Sequence, residues 1–225
     1  MKSLAIKTIA GFLNLFLCLA LLLFGPAWTL HFWQAWIYLL VFFVSCAWIT
    51  YYLWKKDPAL LERRVKAGPT AEKETSQKLI QVLATLAFIG TMIVPSLDRR
   101  FGWSHLPLVL VVAGDTLAAL GFWIVFVVYR QNTFADATIT VASGQTVISS
   151  GPYALIRHPM YSGALVMLLG TPLALGSWWG LAAFPLMLAT IVARLLDEEK
   201  FLGKSLPGYA EYCEKVRYRL APYLW

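Results

Sequence analysis

Apolar side chains fill runs near 8–24, 33–54, 79–95 and 107–129, each roughly the 17 to 25 residues that a helix needs to cross a bilayer. A fifth apolar region, about 160–193, is too long for one simple span and is interrupted at 171–180 by TPLALGSWWG. That break predicts two helices joined by a tight turn at Gly176 to Gly180. The pattern therefore predicts an all-α integral membrane protein of about six transmembrane segments, the last two forming a helical hairpin. Polar positions gather between these runs, at Lys55 to Lys78, at Gly151 to Gly163, and from Arg194 onward.

Charge supplies an orientation. With the N-terminus inside, seventeen of the nineteen Lys and Arg residues fall on the inner side and only Arg99 and Arg100 on the outer. Such a bias predicts cytoplasmic N- and C-termini. The formal charge of +7 then needs no nucleic-acid partner, because a basic face beside anionic lipid accounts for it. Composition agrees: 59% hydrophobic residues and a mean hydropathy of +0.65 exceed the apolar share of ordinary globular domains. Lys2 and Lys7 precede the first run as they would in a signal peptide, but no small-residue cleavage site follows, so it reads as a retained span.

Several residues compete for chemical roles. Asp115 lies inside the fourth run, where a carboxylate is either functional or paired within the bundle. Cys18, Cys46 and Cys213 show no CxxC spacing, and His31, His105 and His158 are scattered, so neither a disulfide framework nor a metal site is expected. Lys55 to Lys78, punctuated by Pro58, Gly68 and Pro69, reads as a solvated connector. Residues 135–150 alternate β-branched and small polar side chains, which predicts a short hairpin or ordered loop.

The run Gly151 to Gly163, GPYALIRHPMYSG, holds an Arg, a His, two Pro and two Tyr between apolar stretches. Gly151-Pro152 signals a turn, and Pro159 biases His158 away from helical geometry, so a helix should begin at Pro159. Its free N–H groups could hold an anion such as an amino-acid carboxylate. Tyr153 and Tyr161 offer aromatic faces to a cation or a purine, and Arg157 and His158 add donors. Near the end of the last apolar helix, Arg194 and Glu198 stand four residues apart and so share a face. Glu199 reads as the solvent-facing neighbour. The tail from Tyr209 to Arg219 alternates aromatics with cations, as an interfacial segment does. No GxGxxG loop follows a strand, so the soluble dinucleotide-type cofactor fold has no footing.

Together the two clusters, with VRYRLAP ending at Pro222, resemble the C-terminal half of the isoprenylcysteine carboxyl methyltransferase family and the related phospholipid N-methyltransferases, over roughly 130–222. The resemblance implies a membrane methyltransferase with a cytoplasmic-face S-adenosylmethionine site. It divides the chain into a four-span N-terminal region, 1–130, and a catalytic region, 131–225. Carried across, the cofactor contacts are Gln145, Thr146, Val147, Ile148, Tyr153, His158, Pro159, Met160, Tyr161 and Glu198, and Arg194 holds the carboxylate of a lipid-borne acceptor. Two alternatives stand beside this: phospholipid N-methylation, and a non-catalytic membrane protein or small transporter built on Asp115. Short loops point to a prokaryotic cytoplasmic membrane.

Overall fold

The computed structural model describes residues 2–66, 75–135, 141 and 144–225, and every regular element among them is helical. The elements are α1 (Lys2–Ala27), α2 (Trp33–Lys56), α3 (Pro58–Lys66), α4 (Thr75–Phe101), α5 (Leu108–Gln131), α6 (Pro159–Ala174), α7 (Phe184–Ser205) and α8 (Tyr209–Lys215). Short 3-10 turns at Gly151–Ala154 and Trp179–Ala183 precede α6 and α7. Among the described residues, five helical stretches are long and apolar enough to cross a membrane: Leu4–Ala27, Trp33–Lys56, Gln77–Phe101, Leu108–Gln131 and Trp179–Ser205. Their exposed surfaces are rich in Leu, Val and Trp, too much apolar surface for water and suited to lipid.

The sixth expected segment is α6, which has 16 residues and a length of about 24 Å, less than the roughly 30 Å hydrocarbon core. It stops because Gly176 takes φ +74, with Gly176 N–H donating to Leu173 O (2.9 Å) and Ser177 N–H to Pro172 O (2.9 Å). This left-handed cap satisfies the last carbonyls of α6 and turns the chain. The expected hairpin turn is therefore present, set off by the 3-10 turn at Trp179–Ala183. Helix α4 continues through Pro95 to Phe101, past the end of the apolar run that outlined it.

Helices α5 and α6 touch backbone to backbone. A Cβ on Gly114 would lie 2.2 Å from Ala174 N, one on Gly121 2.5 Å from Gly163 O, and one on Gly170 2.5 Å from Gly114 O. The glycines stand seven apart on each helix, two turns, so they fall on one stripe and allow the close approach that binds helices in lipid.

One end of the bundle is closed by a buried carboxylate. Asp98 is 1% exposed and accepts from the Ser104 N–H and hydroxyl, both at 2.6 Å, and from the Ser177 hydroxyl. Satisfied three times, it ties the α6–α7 turn to the end of α4. Arg99 and Arg100 lie at this end with the exposed Trp28, Trp33, Trp103, Trp178 and Trp179, an aromatic belt of the kind found at membrane interfaces. Arg157 and Arg194 lie at the other.

The 55–78 connector is more ordered than its polarity suggests. Asp57 caps α3, its Oδ1 accepting the Leu60 N–H at 3.0 Å, with Pro58 at the first helical position and Leu60 and Leu61 buried. Residues 67–74 lie outside the described residues, as do 136–140 and 142–143 of the expected hairpin; the described 144–150 form no strand. Asp115 is half-buried on α5, with Oδ1 lacking a hydrogen-bond partner, and it lines neither of the two cavities described below.

Candidate active site

His158 has φ −124 and ψ 59, outside helical geometry, and α6 begins at Pro159 as expected. The tail holds this helix start from the opposite side. Arg157 N–H donates to Tyr218 O and His158 N–H to Arg219 O, both at 2.9 Å, and the Ser162 hydroxyl donates to Leu220 O at 2.6 Å. The tail is thus folded back over the start of α6 instead of lying free along the interface.

Glu199 organises this junction. Its carboxylate lies 3.2 Å from Arg157 Nη1, 3.1 Å from His158 Nε2 and 2.9 Å from Arg219 Nε, with 11% of the side chain exposed. The expectation of a solvent-facing Glu199 is therefore wrong. The reason is tertiary: the returning tail brings Arg219 onto a helix face that would otherwise meet water. Glu199→Gln is expected to weaken three charge-assisted contacts by about 1.5 kcal/mol in all. Tryptic cleavage at Arg217 in lipid nanodiscs should then run roughly tenfold faster than in the wild type, while an unchanged rate would assign the tail's attachment to its backbone bonds alone.

Arg194 and Glu198 do share a face of α7, and Tyr161 joins them. The Tyr161 hydroxyl donates to Glu198 Oε2 at 2.7 Å and accepts from Arg194 Nε at 3.1 Å. Arg194 Nη1 also donates to Gln77 Oε1 at 3.0 Å, and Gln77 Nε2 donates to Asp197 Oδ2 at 2.9 Å. Gln77 is 3% exposed on α4, and one side-chain amide serves both neighbours because it carries a donor and an acceptor.

All eleven residues singled out from the sequence line one cleft: Gln145, Thr146, Val147, Ile148, Tyr153, His158, Pro159, Met160, Tyr161, Arg194 and Glu198. Asn132, Phe134, Ala135, Arg157, Leu202, Leu206, Tyr209 and Tyr212 complete it. Asn132 Nδ2 donates to the Tyr153 hydroxyl at 2.9 Å, and the Tyr212 hydroxyl donates to Tyr153 O at 2.8 Å. Burial pushes the Tyr153 phenol up to about 12, against the lowering effect of the Asn132 contact, so it stays protonated. Arg157 Nε and the Tyr209 hydroxyl are buried without a hydrogen-bond partner. Of these added residues, Tyr209 and Tyr212 belong to the aromatic tail already marked in the sequence, whereas Asn132 stands outside the two motifs and carries no spacing signal toward them; only the fold brings it in.

A second cavity, of about 610 Å³, lies deeper in the bundle between α1, α2, α5 and α6. Its walls are largely apolar, with Lys7, Arg64 and Arg194 at the end nearest the cleft, and it shares Met160, Tyr161 and Arg194 with the cleft.

Residues 109–207 match the family described as phospholipid methyltransferase. A probable protein-S-isoprenylcysteine O-methyltransferase of Oryza sativa subsp. indica is 30% identical over 128 residues, 56% of this chain and 64% of that protein. Over these segments the chain is similar both to the phospholipid methyltransferase family and to protein-S-isoprenylcysteine O-methyltransferases. Protein-S-isoprenylcysteine O-methyltransferase A of Arabidopsis thaliana is 23% identical over 142 residues, 61% of this chain and 70% of that protein. A Delta(14)-sterol reductase of Mus musculus is 34% identical over 93 residues, 39% of this chain. The chain spans 22% of that reductase and 64% of the rice protein. The matched segment runs from α5 through α7, so the family match covers both sides of the cleft but not Gln77 on α4.

Proposed function

We propose that this protein is an S-adenosylmethionine-dependent methyltransferase acting on a lipid-borne carboxylate, in the manner of an isoprenylcysteine carboxyl O-methyltransferase. Its site faces the cytoplasm of a prokaryotic membrane, and residues 131–225 form the catalytic region. The observation that carries this reading is the sharing of Met160, Tyr161 and Arg194 by a polar cleft and an apolar cavity. A water-soluble cofactor and a membrane-embedded acceptor need separate entrances and one meeting point.

The cleft suits the cofactor. Arg157 Nε and the Tyr209 hydroxyl are buried donors awaiting an acceptor, Glu198 offers a carboxylate to a cation, and Tyr153, Tyr161 and Tyr212 present aromatic faces. The residues that would hold it are Gln145 to Ile148, Tyr153, His158 to Tyr161 and Glu198. When bound, S-adenosylmethionine supplies a methyl group on a positively charged sulfur, open to in-line displacement. Arg194 orients the acceptor carboxylate through its planar fork, and Tyr161 holds Arg194 and Glu198 in one arrangement. A carboxylate is already ionised at neutral pH, so no side chain need act as base. Catalysis is then mainly a matter of holding the two partners in line and excluding water.

Binding of methyl-labelled S-adenosylmethionine to the purified protein in nanodiscs tests the site. His158→Ala and Tyr161→Ala are each expected to weaken binding about tenfold or more, roughly 1.4 kcal/mol, without impairing membrane insertion. Unchanged affinity in both would remove the cofactor from this cleft. The matched family's description favours phospholipid N-methylation as the second reading, and mass spectrometry of lipids incubated with the labelled cofactor separates methyl esters from methylated amines.

A further inference from the structure

The apolar cavity has a measurable depth. Its lining runs from Met160 to Met167 on α6, from Tyr129 to Phe122 on α5 and from Leu53 to Cys46 on α2, seven residues on each helix and so about 10 Å. Followed from the end marked by Lys7, Arg64 and Arg194, where α6 begins and α2 and α5 end, the three linings reach their last residue at one level. There Cys46, Phe122 and Met167 pack on the buried core of Leu19, Leu23, Phe42 and Ala118.

Aromatic rings close that level. Phe122 meets Phe42 edge to face at 5.1 Å, Phe42 meets Phe43 at 5.4 Å, and Phe12 meets Phe43 at 6.2 Å. Phe12 and Phe122 also line the cavity. Nothing passes between α5 and α6 beyond them, because the two backbones are in contact at Gly121 and Gly163. A chain entering from the charged end meets rings and backbone about halfway through the bundle.

We infer that this ring cluster sets the length of hydrocarbon the acceptor can carry, with Phe122 and Phe12 as the residues that determine it; the inference rests on the acceptor reading above. An extended chain advances about 3.8 Å for every three bonds, so a depth of about 10 Å holds about eight bonds beyond the charged head. A longer chain has to leave sideways into lipid, losing the packing that the cavity offers and lifting its head away from Arg194. The occupant is an anion on a hydrocarbon chain, matched by three cations at the entrance and apolar walls below.

The test uses N-acetyl-S-alkylcysteines with unbranched chains graded from about 6 to about 18 carbons, held at one mole fraction in vesicles carrying the wild-type protein. Methyl transfer is expected to peak where the chain fills about eight bonds and to fall about fivefold or more for the longest chains. Phe122→Ala removes a ring from the floor and should move the peak about three carbons longer; Phe12→Trp thickens the floor and should move it shorter. Opposite shifts cannot come from a general loss of stability. A profile that keeps its peak in both variants overturns the inference. If no chain is methylated, the carboxylate-acceptor reading fails by itself, and length selection is read from protection of Cys46 in the cavity wall. With Cys18 and Cys213 replaced by Ala, the half-protecting mole fraction against a maleimide should show the same optimum and the same opposite shifts, and a length-independent value would overturn the inference.

Discussion

Gly114→Ala is expected to prevent α6 from seating on α5. The added methyl would stand 2.2 Å from Ala174 N and 2.7 Å from the Leu173 carbonyl carbon, so the obstacle is backbone and cannot be cleared by a rotamer change. Overpacking in a well-filled core typically costs about 1–3 kcal/mol, and a clash with a rigid helix belongs at or above the upper end. The variant should lose its monodisperse peak on size-exclusion chromatography in detergent. Ala174→Gly should not rescue it, because the clashing atom is the backbone nitrogen. Gly11→Ala is the control: nothing lies within 4 Å of its Cβ position, and the substitution should be neutral or slightly favourable through helix propensity. A well-folded Gly114→Ala protein would mean that α5 and α6 can separate at little cost. Because α6 carries Pro159, Met160 and Tyr161 into the cleft, a displaced helix should also abolish cofactor binding.

Arg194→Lys is expected to cut turnover about a hundredfold, roughly 2.7 kcal/mol in the activation barrier, while cofactor affinity stays within about threefold. Lysine keeps the charge but not the two-pronged geometry that reaches Tyr161 through Nε and Gln77 through Nη1. Glu198→Gln should fail differently, lowering cofactor affinity first, because it removes the negative charge offered to the cofactor's cationic groups. Tyr161→Phe should show both defects, since one hydroxyl contacts Arg194 and Glu198 together. Steady-state kinetics with cofactor and acceptor varied separately distinguishes the three patterns. Wild-type turnover in Arg194→Ala would eliminate the carboxylate clamp and shift the reading to an amine acceptor.

The legibility of the site had limits set by chain separation. Tyr161 and Glu198 belong to motifs whose spacing is local, and both fall in the cleft. Gln77 stands more than a hundred residues before Arg194, at the edge of a polar connector, where one more Gln carries no signal. Glu199 was misread for the same reason: helical periodicity places it a step around from Glu198, but Arg219 reaches it only after the tail doubles back. The 610 Å³ cavity draws its walls from helices on both sides of residue 130, and no single segment encodes its floor.

Sequence by itself determined the membrane helices, because lipid requires long uninterrupted apolar runs whose backbone bonds close within the segment. It determined the start of α6 as well, since proline limits the residue before it and suits the first helical position. Only the tertiary structure decided how the polar groups pair, with Glu199 gathering Arg157, His158 and Arg219 and Gln77 reaching Arg194. It also decided where the two cavities meet. Pairing and cavity shape depend on which helix faces touch, and here that contact follows from the glycine approach of α5 to α6 and the return of the tail.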